Sequence, residues 1–191
     1  MRSKSEMLLA NEFTRRGMYF EYEEPADKVL DALPDFTFPD YGNIVLEHLG
    51  LLTDPNYFER WETKAKEYER KGIRYLRTSE EEIKALSGTV DRLQNQLKAW
   101  TEEKLGAERL KLVELVERLR RESGLRIGRA IGEFQNGIFE INDRKDDDAV
   151  AIALGRGSSP PSGTNIPGYP EILWEPQRIK DIDVWFGRKK K

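Results

Sequence analysis

The run Ile44-Val45-Leu46-Glu47-His48-Leu49 constrains this chain more than any other segment. It is apolar on both faces, the pattern of a strand covered on each side by other structure, and a carboxylate interrupts it. Side chains alternate along a strand, so Val45 and Leu49 share Glu47's side and the acid faces a core rather than water. Desolvation raises the pKa of such a group unless a cation offsets it. The position therefore implies either a buried ion pair or a metal ligand.

The flanking text supplies the other layers. Ser3 at an N-cap, Glu6 at the capping-box position, and Leu9 and Phe13 on Glu6's face predict a helix that Gly17 ends. Met18 to Glu23 is aromatic and nearly alternating, a strand closed by Pro25. Asp35-Phe36-Thr37-Phe38 lies between Pro34 and Pro39 and is joined to the Ile44 run by Asp40-Tyr41-Gly42-Asn43, which predicts a hairpin. Between Pro55 and Gly72 the residues Tyr57, Trp61, Lys64 and Tyr68 step by four, three and four along one helical stripe, and Ile73 to Arg77 is a short strand. The order is helix, three strands, helix, strand.

Three more charged side chains stand where this pattern prefers something else. Glu6 lies on an apolar helix face, Asp35 opens a strand, and Lys64 is the one charge in the aromatic stripe. Each has a structural explanation: a capping box for Glu6, a turn for Asp35, snorkelling for Lys64. Lys64 and Glu47, both core-facing, are also natural partners for an ion pair.

Farther on, Ile83, Leu86, Val90, Leu93, Leu97 and Trp100 keep a heptad seam, which predicts a long helix over 80–100 in need of a partner helix, from this chain, a second copy or another protein. The phase breaks after Thr101, and Leu105, Leu112, Val116 and Leu119 start a new stripe. Candidate strands Ile138–Ile141 and Ala149–Leu154 suggest a second hairpin, Gly155 to Pro170 is rich in proline and glycine, and the end is aromatic and basic. The expected division is a core with its long helix at 1–103, a helical arm and hairpin at 104–154, and a linker with a basic aromatic tail at 155–191.

Composition narrows the chemistry. The 191 residues include no cysteine and a single histidine, His48, so there is no disulfide framework, no thiolate site and no multi-histidine zinc site. Any metal would be a hard cation on oxygen ligands. No apolar window is long enough to span a bilayer, and a soluble cytoplasmic protein is expected. The 32 basic and 35 acidic residues leave a formal charge of −3, so an anionic partner such as DNA would have to be met by local positive charge.

The residues Ser3-Lys4-Ser5-Glu6, Tyr22-Glu23-Glu24-Pro25, Pro34-Asp35-Phe36-Thr37, Glu47-His48-Leu49-Gly50, Trp61-Glu62-Thr63-Lys64 and Gly72-Ile73 resemble, over about residues 2–100, the PD-(D/E)XK nuclease superfamily. The likeness is to its members associated with DNA helicases and mobile elements. Pro34-Asp35 matches the "PD" and Glu47 the "(D/E)". The family's lysine is expected two residues after Glu47, where this chain has Leu49, so the match passes to Lys64 on the following helix, with Lys66 as a substitute.

The resemblance implies an α/β (α+β) fold with a restriction-endonuclease-like αβββαβ core, a helical extension and a small C-terminal β/loop appendage. It implies a metal-dependent DNA nuclease in DNA repair, a mobile element or antiphage defence. Asp35 and Glu47 would hold Mg²⁺ or Mn²⁺, Glu6 would bind a second cation or position water, and Lys64 would orient water or stabilise the transition state. Lys4, Arg15, Arg16 and His48 are the expected DNA contacts, with Arg118, Arg120, Arg121 and the basic tail as weaker ones. Two alternatives stand beside this: a nuclease fold that binds DNA or a partner without cutting, and a structural adaptor in which Glu47 and Lys64 form only an ion pair.

Overall fold

The computed structural model describes residues 3–23, 33–51 and 53–123, and farther along the strands 129–135, 138–142, 151–154, 172–179 and 182–189. The chain is mixed α/β and divides into two compact units, Met1–Lys104 and Leu105–Lys191. No helix among the described residues is long and apolar enough to cross a membrane.

The first unit runs α1 (Lys4–Arg15), β1 (Glu21–Tyr22), β2 (Phe36–Phe38), β3 (Ile44–Leu49), α2 (Pro55–Arg70), β4 (Tyr75–Ser79), α3 (Glu80–Ile83) and α4 (Leu86–Leu105). Its sheet has the order β1-β2-β3-β4. The first three strands are antiparallel, while β4 lies parallel to β3 because α2 carries the chain back across the sheet. A 3-10 turn over Pro39–Tyr41 closes the β2–β3 hairpin, with Gly42 and Asn43 at φ 82° and 60°. The β1 strand is shorter than the Met18–Glu23 alternation suggests.

All six residues of β3 are buried, since both faces of the sheet are covered. On one face Phe13 of α1 meets Phe36 and Phe38 edge-on at ring separations of 5.4 and 5.1 Å. On the other, Val45 and Leu49 pack with Trp61, Ala65 and Tyr68 of α2. The α1 capping box is present, Ser3 Oγ accepting from the Glu6 N–H at 3.1 Å and the Glu6 carboxylate from the Ser3 N–H at 3.4 Å. Asp54 caps α2, with Pro55 at its first position.

The predicted long helix is broken at Lys84–Ala85 into α3 and α4. The seam residues Val90, Leu93 and Leu97 are completely buried. Arg16, the C-cap of α1, reaches Asp91 at 2.5 Å and the Ser87 carbonyl at 3.0 Å, and the Thr101 hydroxyl, which donates to the Leu97 carbonyl at 2.8 Å, also lies 3.4 Å from the Tyr41 carbonyl. A heptad period specifies a buried stripe, not what covers it.

In the second unit α5 (Ala107–Ser123) follows Gly106, whose φ of 87° turns the chain, and it lies against β5 (Arg129–Gln135) and β8 (Ile172–Ile179). With β6 (Ile138–Asn142), β7 (Ala151–Leu154) and β9 (Ile182–Lys189) these strands form one sheet, β5-β6-β7-β9-β8. The expected second hairpin corresponds to the β6–β7 pair. Within 155–191, β9 pairs with β7 and so belongs to the same sheet as the preceding hairpin. Pro176 is accommodated because β8 is an edge strand. The Asp146-Asp147-Asp148 run lies outside the described residues.

Candidate active site

Strand register places the two central acids. Phe36 pairs with Leu46, so Asp35, one residue earlier, stands opposite Glu47 on the face that α2 covers. Directly opposed antiparallel residues have Cβ atoms about 5 Å apart, close enough for two carboxylates to share one cation. The Asp35 Oδ2 accepts the His48 backbone N–H at 2.6 Å, which fixes that carboxylate to the edge of β3.

Glu47 is 5% exposed, and its Oε1 accepts from the Tyr68 hydroxyl at 2.5 Å and from Lys64 Nζ at 2.7 Å. Lys64 also donates to the Leu33 carbonyl at 2.8 Å. The lysine and tyrosine, one helical turn apart, meet the same carboxylate oxygen from α2. The Lys64–Glu47 ion pair expected as the structural alternative is thus present, and so is a surplus of acid around it.

One cavity of about 520 Å³ gathers Glu6, Asp35, Glu47 and Lys64 together with Glu23, His48, Tyr57, Arg60 and Trp61. Glu6 comes from α1, where its carboxylate completes the capping box and accepts from the Tyr22 hydroxyl at 2.6 Å. The capping explanation of Glu6 and its place at the cavity therefore hold together.

Burial pushes the carboxyls of Asp35 and Glu47 above their usual range. Lys64 pulls both down, whereas each acid is raised further by another, Glu47 by Asp35 and Asp35 by Glu6. The Tyr57 and Tyr68 hydroxyls are driven up by desolvation and by the same carboxylates. Such a site favours the arrival of positive charge.

The donor set suits a hard cation held by two carboxylates. With Asp35 Oδ2 and Glu47 Oε1 engaged, Asp35 Oδ1 and Glu47 Oε2 are the oxygens left for it. Among the described residues no three acidic or histidine side chains are grouped closely enough to hold a metal on their own. Mg²⁺ in particular is commonly held by one or two carboxylates and completed by water and phosphate oxygens.

The expected DNA contacts divide. His48 points away from Glu47, its ring bonded to Thr78 Oγ1 at 3.1 Å and to Glu80 Oε1 at 2.9 Å, and Glu80 in turn accepts from Ser5 Oγ at 2.9 Å. Its role here is to tie β3, β4, α3 and α1 together. Arg15 and Arg16 bond to Glu12 at 2.6 and 2.9 Å, holding that carboxyl down to about 2, and Arg16 also takes Asp91. Both sit at the far end of α1 from Glu6, their charge matched by acids of the same unit. Lys4 is exposed in the first turn of α1, and Lys66 is exposed on α2 and does not line the cavity.

Sequence reasoning missed Tyr57, Arg60 and Tyr68 as site residues. Tyr57 stands by its spacing on the aromatic stripe, yet its hydroxyl donates to the His48 carbonyl at 3.2 Å. Comparison with known proteins finds no match among family models, curated proteins or solved structures.

Proposed function

We propose that the first unit is a metal-dependent DNA nuclease of the PD-(D/E)XK type, with a restriction-endonuclease-like core. The observation that supports this most is the opposition of Asp35 and Glu47 across β2 and β3, in a cavity that also takes in Glu6 and a helix-borne lysine. Phosphodiester hydrolysis needs charge neutralised on the phosphoryl group and a water made nucleophilic near neutral pH, and a divalent cation supplies both.

The chain's own residues do the rest. Asp35 and Glu47 would hold the cation, the first braced by the His48 amide and the second by Tyr68. Lys64, already at Glu47 Oε1, would orient water or stabilise negative charge developing on the phosphate. Glu6 would position water or a second cation from the α1 side.

A plasmid-nicking assay with Mg²⁺ or Mn²⁺ tests the reading. Wild type should cut, Asp35→Ala and Glu47→Ala should lose activity while remaining folded, and Lys64→Ala should lose about a hundredfold, on the order of 3 kcal/mol. A wild type that binds DNA but never cuts, with either cation, would replace this reading by a non-cleaving nuclease fold. The Lys64 ammonium seated on Glu47 is the observation that favours that second reading.

A further inference from the structure

The cavity is lined by four carboxylates, Glu6, Glu23, Asp35 and Glu47, against two cations, Lys64 and Arg60. That is a formal −2 which one divalent cation would cancel, leaving nothing to attract the rest of a polyanion. Lys64 is only about a fifth exposed and is held by Glu47 and the Leu33 carbonyl. Arg60 precedes it by four residues on the same face of α2, about 6 Å along the helix. It is exposed, lines the cavity, and makes no ion pair or hydrogen bond with any described residue.

We propose that Arg60 is a phosphate-binding residue that takes the backbone phosphate adjacent to the one at Asp35 and Glu47. This rests on the reading of the cavity as a DNA site. The depth gradient assigns the two cations. Lys64 lies inside, beside the carboxylates, where the reacting phosphate would be; Arg60 lies at the mouth, one turn nearer solvent, where the strand continues. A guanidinium presents two parallel N–H donors that match two non-bridging phosphate oxygens, and it keeps its charge at all accessible pH values. Neighbouring phosphates on a strand are separated by a distance comparable to one helical turn, so both cations can be satisfied at once.

The test is fluorescence anisotropy with the full chain and a labelled duplex oligonucleotide. An Asp35→Asn background removes turnover and one negative charge together. Added to this background, Arg60→Ala should weaken binding about tenfold and reduce the slope of log K against log salt by about 0.9, the signature of one lost phosphate contact. Arg60→Lys should recover part of the affinity, and Arg70→Ala, exposed on the same helix outside the cavity, should leave it unchanged. Equal affinity and salt slope with and without Arg60, or no DNA binding by the background protein, would overturn the proposal. Arg60-dependent binding by a protein whose wild type never cuts would sink the nuclease reading while leaving this one standing.

Discussion

Asp35→Asn isolates the electrostatics of the cavity from its packing. The amide keeps an oxygen to accept the His48 N–H, a bond of 2.6 Å, so β2 stays fixed to β3. What disappears is a charge that burial, and repulsion from Glu6, make costly, and that in turn raises the Glu47 carboxyl. The Lys64 ammonium keeps Glu47 Oε1 and the Leu33 carbonyl, so the substitution strands no buried cation. Each pKa unit of relieved repulsion is worth about 1.4 kcal/mol. A gain of about 1 kcal/mol in the absence of metal, or about 5 °C for a unit of this size, is the expected result. In wild type a divalent cation at ten times its Kd should add about 1.4 kcal/mol, and Asp35→Asn should lose that increment. Circular dichroism melts of the full chain with and without MgCl₂ at matched ionic strength read both effects. A metal-free melting point well below that of wild type, combined with an unchanged response to Mg²⁺, would refute the reasoning.

Tyr68→Phe removes a donor that favours the charged form of Glu47, whose carboxyl burial already raises. That carboxyl should rise further, so the acidic limb of the activity profile should shift to higher pH. The sign for stability follows: a carboxyl raised on folding stabilises the protein while protonated and loses that contribution as pH rises through its folded value, so this variant's deficit against wild type should widen from acid toward neutral pH, as urea melts at several pH values would show. Leu93→Ala, at a completely buried seam position, should cost about 3 kcal/mol without changing the oligomeric state measured by light scattering. A change in mass on Leu93→Ala would mean that the seam joins two chains.

The parts of the site that the sequence revealed are those where charge violates a periodicity. Glu47 interrupts a strand apolar on both faces and Lys64 interrupts an aromatic stripe, and both come to one cavity. Tyr68 was hidden by conforming to its stripe, although a tyrosine at a buried position needs a partner for its hydroxyl, and Glu47 is that partner. Arg60 was hidden because an arginine on an exposed helix face is the ordinary case, and only the cavity distinguishes it from Arg70. Arg15 and Arg16 illustrate the converse: a basic pair in the sequence shows its charge but not the acids, Glu12 and Asp91, that it meets in the fold. The seam of α4 showed burial but not its cover. In the last strands Ile182, Val184 and Phe186 alternate with other residues at the period of β9, a signal overshadowed by the basic end that follows.

The surplus of acid is what separates a binding site from a structural ion pair. One lysine needs one carboxylate, and the Lys64–Glu47 contact with Tyr68 already satisfies both. Placing Asp35 opposite that pair, with Glu6 and Glu23 around the same cavity, adds repulsion that raises the central carboxyls and weakens the fold. A cavity whose only duty was packing would be at least as stable with apolar residues at these positions. A site that holds such charges together would be stabilised by the arrival of a cation, which on the proposed reading takes Asp35 Oδ1 and Glu47 Oε2 and leaves Lys64 on Oε1. The lysine, seated beside that cation, would then face the reacting phosphate. On the proposed reading the Lys64–Glu47 ion pair is part of the site rather than a rival to it, and Lys64 would link cation binding at the carboxylates to engagement of the strand that Arg60 would hold at the mouth.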